Sequence, residues 1–132
     1  MVGDKNNEFL LLVKAKDLAK YTINITDNPK RFPKKYRFTF VNRMQNMVLD
    51  IYELINMANE LNTNNEQALT ERLKLQNQAI TKCKTMLFLI DLCLGNENVG
   101  IDFRQAEVWS MHVTNVKNMA INWHTRDKKK IK

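Results

Sequence analysis

The chain has 132 residues, 44% of them hydrophobic and 27% charged, with a formal charge of +7 and a pI near 9.5. This length suits one domain able to bury about two-thirds of its unfolded surface. Three glycines and two prolines are too few for the turns of a barrel or sandwich and exclude collagen-like and low-complexity chains; no apolar run of about 18 residues marks a membrane span.

The first predicted helix covers Glu8–Asp27, with Leu11, Ala15, Leu18, Thr22 and Ile25 at spacings of three and four and Leu12 widening the stripe. Its apolar start follows Asp4 and Glu8 and lacks an A-x-A cleavage site, so it is not read as a signal peptide. Thr22, Ile23, Ile25 and Thr26 are β-branched and weaken its end. Asn28-Pro29 and Phe32-Pro33 then break the period, because proline removes a donor and restricts the preceding residue.

Residues 30–43 (KRFPKKYRFTFVNR) hold six basic side chains and no acid. Aromatic side chains Phe32, Tyr36, Phe38 and Phe40 interleave with them. Such a segment is compatible with nucleic-acid binding, since Lys and Arg displace counterions from phosphates, and equally with a solvated inter-helix loop. The flanks differ: residues 1–29 are neutral, 44–100 carry −3 and 101–132 carry +4.

The second helix is expected over Lys35–Leu61, its face made by Val41, Met44, Val48, Ile51, Leu54 or Ile55, Ala58 and Leu61. Asn62–Asn65 form a turn, and Thr63 with Glu66 three residues later has the form of a capping box. A third helix follows over Asn65–Leu94, with Ala68, Leu69, Leu73, Gln76, Ile80, Cys83, Leu87, Ile90 and Leu94 in period and Gly95 as its stop. Met86–Leu94 is apolar nearly all round, which suits either a deep core or a subunit interface, and Asp91 interrupts it at an interface or an edge. The fourth helix runs Asp102–His124 through Phe103, Ala106, Trp109, Val113, Val116, Ala120 and Trp123, with Asp102 and Gln105 as a second cap. Residues 126–132 form a basic tail that frays. Short connections favour antiparallel neighbours, so residues 1–125 are expected to form one all-α, up-down-up-down four-helix bundle.

No constellation for catalysis or metal binding is visible. His112 and His124 lack the acid three residues earlier that a di-iron bundle needs, and there is no CxxC, HExxH, GxSxG or phosphate-binding glycine loop. The seven methionines read as bundle filling. No catalytic residue, metal or cofactor is therefore expected. Cys83 and Cys93, if on one helix, lie about 15 Å apart along its axis and cannot bridge; both are read as buried thiols of a reducing, cytoplasmic compartment.

A helix, then FP-x-x-x-R-F (Phe32-Pro33 to Arg37-Phe38), then a long helix carrying LDIYELI (Leu49–Ile55) resembles the accessory variability determinant (Avd) family, which also contains proteins encoded by ribosomal intervening sequences. The similarity spans about residues 9–125. Met119 and Trp123 resemble the family's terminal motif, with Ile121-Asn122 replacing its glycine pair. The resemblance implies a ring-like homopentamer of four-helix bundles. It further implies a non-catalytic accessory of a diversity-generating retroelement that binds the reverse transcriptase and template-repeat RNA or cDNA during mutagenic copying. No membrane and no small-molecule substrate are expected. On that reading Lys30, Arg31, Lys34, Lys35, Arg37 and Arg43 contact phosphate or polymerase, with a structural role for Arg37 as the competing reading. Phe32 and Pro33 pack the loop, and Arg126, Lys128, Lys129, Lys130 and Lys132 add a diffuse contribution. The alternatives are a ribosomal intervening-sequence bundle or a protein-only interaction module.

Overall fold

The computed structural model describes residues 2–131. Four helices account for most of them: α1 (Val2–Asp27), α2 (Asn42–Glu60), α3 (Glu66–Leu94) and α4 (Phe103–Lys128), with no strand among the described residues. Consecutive helices pack on one another and α1 closes the ring against α4, giving a four-helix bundle. The start of α2 meets the end of α1, where Gln45 Nε2 donates to Thr26 Oγ1 at 2.9 Å. The start of α4 meets the same end, where Trp109 Nε1 donates to Thr22 Oγ1 at 2.9 Å. Neighbours are thus antiparallel.

The stripes of α1, α2 and α4 lie where the periodicity places them: Leu11, Ala15, Leu18, Thr22 and Ile25, then Met44, Val48, Ile51, Ile55 and Ala58, then Ala106 through Trp123 are all buried. Each large aliphatic side chain so buried contributes roughly 1.5–3 kcal/mol. Cys83 and Cys93 are buried free thiols, and burial pushes both pKa values up to about 12.

Several boundaries differ from expectation. The helix before α2 is not regular: a 3₁₀ turn (Lys34–Tyr36) leads into a π turn (Arg37–Val41) before the α-helix begins. The α3 cap is Asn65, not Thr63; its side chain accepts from the backbone N–H groups of Gln67 and Ala68. Gly95 ends α3 with φ −79°, right-handed rather than left-handed, so its stop needs no glycine geometry. Asp102 and Gln105 do form a reciprocal capping box. Phe103 is 71% exposed because it precedes the first buried turn of α4. The Met86–Leu94 run is split: Met86, Leu89, Ile90 and Cys93 face the core, while Phe88, Asp91 and Leu92 face outward.

The end of α4 departs most from expectation. The helix continues past His124 to Lys128 because Asp127 is buried there. Asp127 Oδ2 accepts from Arg72 Nε and from Gln76 Nε2, both at 2.7 Å, and Oδ1 pairs with Lys130 at 3.1 Å. Arg72, itself buried, also donates to Glu8 Oε1 at 2.8 Å and to the Leu61 carbonyl at 2.8 Å, and lies 4.8 Å above the Trp123 ring. Trp123 Nε1 donates to the same Glu8 oxygen at 3.1 Å. The amide of Gln76 can point only one way, since reversing it would set oxygen against carboxylate. Its own Oε1 has no partner among the described residues.

Burial alone would raise the Asp127 pKa, yet the hydrogen bonds from Arg72 and Gln76, the charge of Arg72 and the Lys130 bond together hold it below the ordinary aspartate value. A carboxyl depressed in the folded state adds stability above its unfolded pKa of about 4 and loses it as pH falls through the folded value. Asp127→Asn should therefore cost about 3–5 kcal/mol at neutral pH, by leaving a buried cation short of a partner, and its stability should fall less steeply below about pH 4. Urea titrations of both proteins across that range check this; parallel acid losses would remove Asp127 from the account.

Candidate nucleic-acid interface

Helix α1 stops at Asp27 because Pro29 cannot continue it. The Asn28 carbonyl accepts from the N–H groups of Arg31 and Phe32, and its side chain accepts from Lys30 N–H, turning the chain sharply. Phe32 then enters the core edge-on to Trp109, with ring centroids 6.2 Å apart. Tyr36 packs on Phe40 at 5.3 Å, and its hydroxyl accepts from Asn96 Nδ2 at 3.0 Å. With Phe32 and Phe40 buried and Tyr36 half-buried between them, the polar residues of the segment are turned outward.

The 95–102 loop braces this segment from α4. Val99 and Ile101 are buried, and Gly100 N–H donates to the Arg31 carbonyl at 2.7 Å. The close approach requires glycine: a Cβ on Gly100 would sit 2.8 Å from the Lys30 carbonyl oxygen and 3.3 Å from the Arg31 Cα.

The outcome for the basic segment is a cluster of exposed cations on a well-anchored loop. Lys30, Lys34, Lys35, Arg37 and Arg43 are exposed, and Arg31 is half-buried. Arg31 lies close enough to Tyr21 for its charge to oppose the rise in the Tyr21 pKa that burial causes. Lys35 lies 5.3 Å over the Tyr36 ring. Arg37 makes no hydrogen bond or ion pair through its side chain among the described residues, so it is available to a ligand. A groove of about 330 Å³ beside it is lined by Lys34, Arg37, Asp27 and the Phe32-Pro33 pair. Asp27, Glu97 and Asp102 stand at this end too, so six cations outnumber the carboxylates near them.

The second predicted group is not brought to the first. Arg126, Lys128, Lys129 and Lys130 lie at the far end of α4, whose 26 residues span roughly 39 Å. There Lys130 is committed to Asp127, Arg126 lines a small groove with Glu8 and Trp123, and only Lys128 and Lys129 are simply exposed. Lys132 lies outside the described residues.

Chemistry elsewhere is sparse. His112 packs on Tyr21 with ring centroids 5.0 Å apart, and no group of three His, Cys, Asp or Glu residues among those described is arranged to hold a metal ion. No described helix is long and apolar enough to cross a membrane. Sequence reasoning missed two features: the buried Arg72, and the exposure of Phe38, which stands 81% open among the cations. No family model, curated protein or solved structure matches the chain.

Gly100→Ala should loosen the brace and destabilise the chain by about 1–3 kcal/mol, the usual cost of forcing extra volume into a packed site. A urea midpoint by circular dichroism checks it; an unchanged midpoint would show that the loop yields without cost.

Proposed function

We propose that the chain is a non-catalytic accessory protein of a diversity-generating retroelement, binding template RNA or cDNA together with the reverse transcriptase. The observation that carries this reading is the exposed, acid-free run of cations over residues 30–43 at one end of the bundle. It is supported by the resemblance of Phe32-Pro33, Arg37-Phe38 and Leu49–Ile55 to the Avd pattern. Phosphate contacts of this kind supply affinity that is independent of sequence and sensitive to salt. The polymerase performs the chemistry, and the bundle holds the nucleic acid and its enzyme together. A ring-like homopentamer belongs to the same proposal; Phe88 (60% exposed) and Leu92 (45% exposed) on α3 offer apolar surface for subunit packing. The cytoplasm is the proposed location.

The test is a tagged pull-down from the native host, with quantification of reverse transcriptase peptides and sequencing of bound RNA. Joint enrichment after a moderate-salt wash is expected; a well-expressed protein that brings down no polymerase would overturn the retroelement role. RNA lost together with the polymerase would favour the protein-only module.

In vitro, neutralising Lys34, Lys35 and Arg43 together should weaken RNA binding and flatten its dependence on salt. The slope should fall by up to about 2 for single strands, at roughly 0.7 for each phosphate no longer neutralised. Fluorescence anisotropy at several salt concentrations measures both quantities, and unchanged affinity and slope would remove these residues from the interface.

A further inference from the structure

We propose that Phe38 is a stacking platform for an unpaired base, which makes single-stranded nucleic acid the ligand of the basic end. The inference rests on the nucleic-acid reading above and narrows it.

Phe38 sits in the π turn (Arg37–Val41) that leads from the 3₁₀ turn into α2. Phe40 in the same turn is buried and anchors it, so Phe38 two residues earlier is turned to the opposite side. A π turn is uncommon, and those inside α-helices are frequent at functional sites; this one opens α2. Phe38 is 81% exposed, and its side chain makes no ring contact among the described residues.

The electrical setting separates Phe38 from the other exposed phenylalanines. Phe9 follows Glu8, Phe103 lies between Asp102 and Arg104, and Phe88 lies between Lys84 and Asp91 on α3, so each has a carboxylate beside it. Phe38 is flanked by Arg37 and lies between Lys34-Lys35 and Arg43, with no carboxylate in the segment. An aromatic face set among cations is the arrangement by which single strands are held: cations track the phosphates while a base stacks on the ring. A duplex hides its base faces and gains only from the cations. Because every base has a π-face, the contact tolerates any sequence.

The experiment uses the full-length chain with labelled single-stranded RNA of mixed sequence and its blunt duplex, at several salt concentrations. Phe38→Ala should weaken single-strand binding about five- to a hundredfold, with the salt slope and the duplex affinity unchanged. Phe38→Trp should retain wild-type affinity. Both native tryptophans are buried, so the new indole would be the one exposed tryptophan, and single-stranded RNA should quench its emission along the binding curve. Wild-type single-strand affinity in Phe38→Ala, equal losses for both RNA forms, or an unquenched indole at position 38 would overturn the stacking role. So would a fall in the free protein's molar mass by light scattering in Phe38→Ala, which would make the ring a subunit contact. If stacking fails while neutralising Lys34, Lys35 and Arg43 still weakens binding, the electrostatic reading stands without it. If the wild-type chain binds neither RNA form, both fall.

Discussion

A single guanidinium reaches every other helix of this bundle. Arg72 on α3 bonds Glu8 on α1, the Leu61 carbonyl just beyond α2 and Asp127 on α4. Stripping such a cation of water is costly, and an apolar replacement of the same volume is often no less stable. What the arrangement supplies is register. Apolar stripes tolerate sliding by a turn, whereas the fixed fork of an arginine is satisfied only when three partners arrive from three directions at one level. Trp123 and Gln76 tighten the constraint by using the remaining capacity of the same two carboxylates.

The two ends of the bundle are consequently closed by different chemistry. One end is ionic and buried, and it draws the basic tail into the helix. The other is aromatic, with Trp109, Phe32 and Phe40 inside, Tyr36 half-buried against Phe40, and a backbone bond from Gly100 across the opening. The aromatic closure leaves Lys30, Lys34, Lys35, Arg37 and Arg43 exposed, with Arg31 half-buried and Lys35 over the Tyr36 ring. The basic end is therefore a cluster of charges on a rigid base, where a disordered arm would first have to be ordered by its ligand.

The helices with one-sided stripes were mostly legible, since α1, α2 and α4 each bury a face that repeats every three or four positions; the stripe ends were not, as Val41 and Leu61 are half-buried and Phe103 is exposed. Helix α3 was harder: Gln76 fell in the stripe by its spacing, but Arg72, buried beside it, looks like a surface residue, and neither position announces what it binds. Their partners lie 51 to 64 residues away in the chain, at Asp127 and Glu8, and no local pattern announces that. The α3 cap was ambiguous for a different reason: Asn62, Thr63, Asn64 and Asn65 are all able to cap, and the choice depends on where the chain finishes turning. The π turn escaped because its wider winding does not match a 3.6-residue period. The basic run was plain in the sequence, but its separation from the tail follows only once the antiparallel order is known.

The two cysteines give the bundle a pair of internal reporters. Both sit on α3, one near its middle and one close to its end, each sealed in the core with its thiol proton held tightly. Since the thiolate is the reactive form, neither can be alkylated at neutral pH while its surroundings remain closed. Their labelling rates thus measure how often the centre of the bundle and its aromatic end open, two free energies of local opening that a single global melting curve would merge.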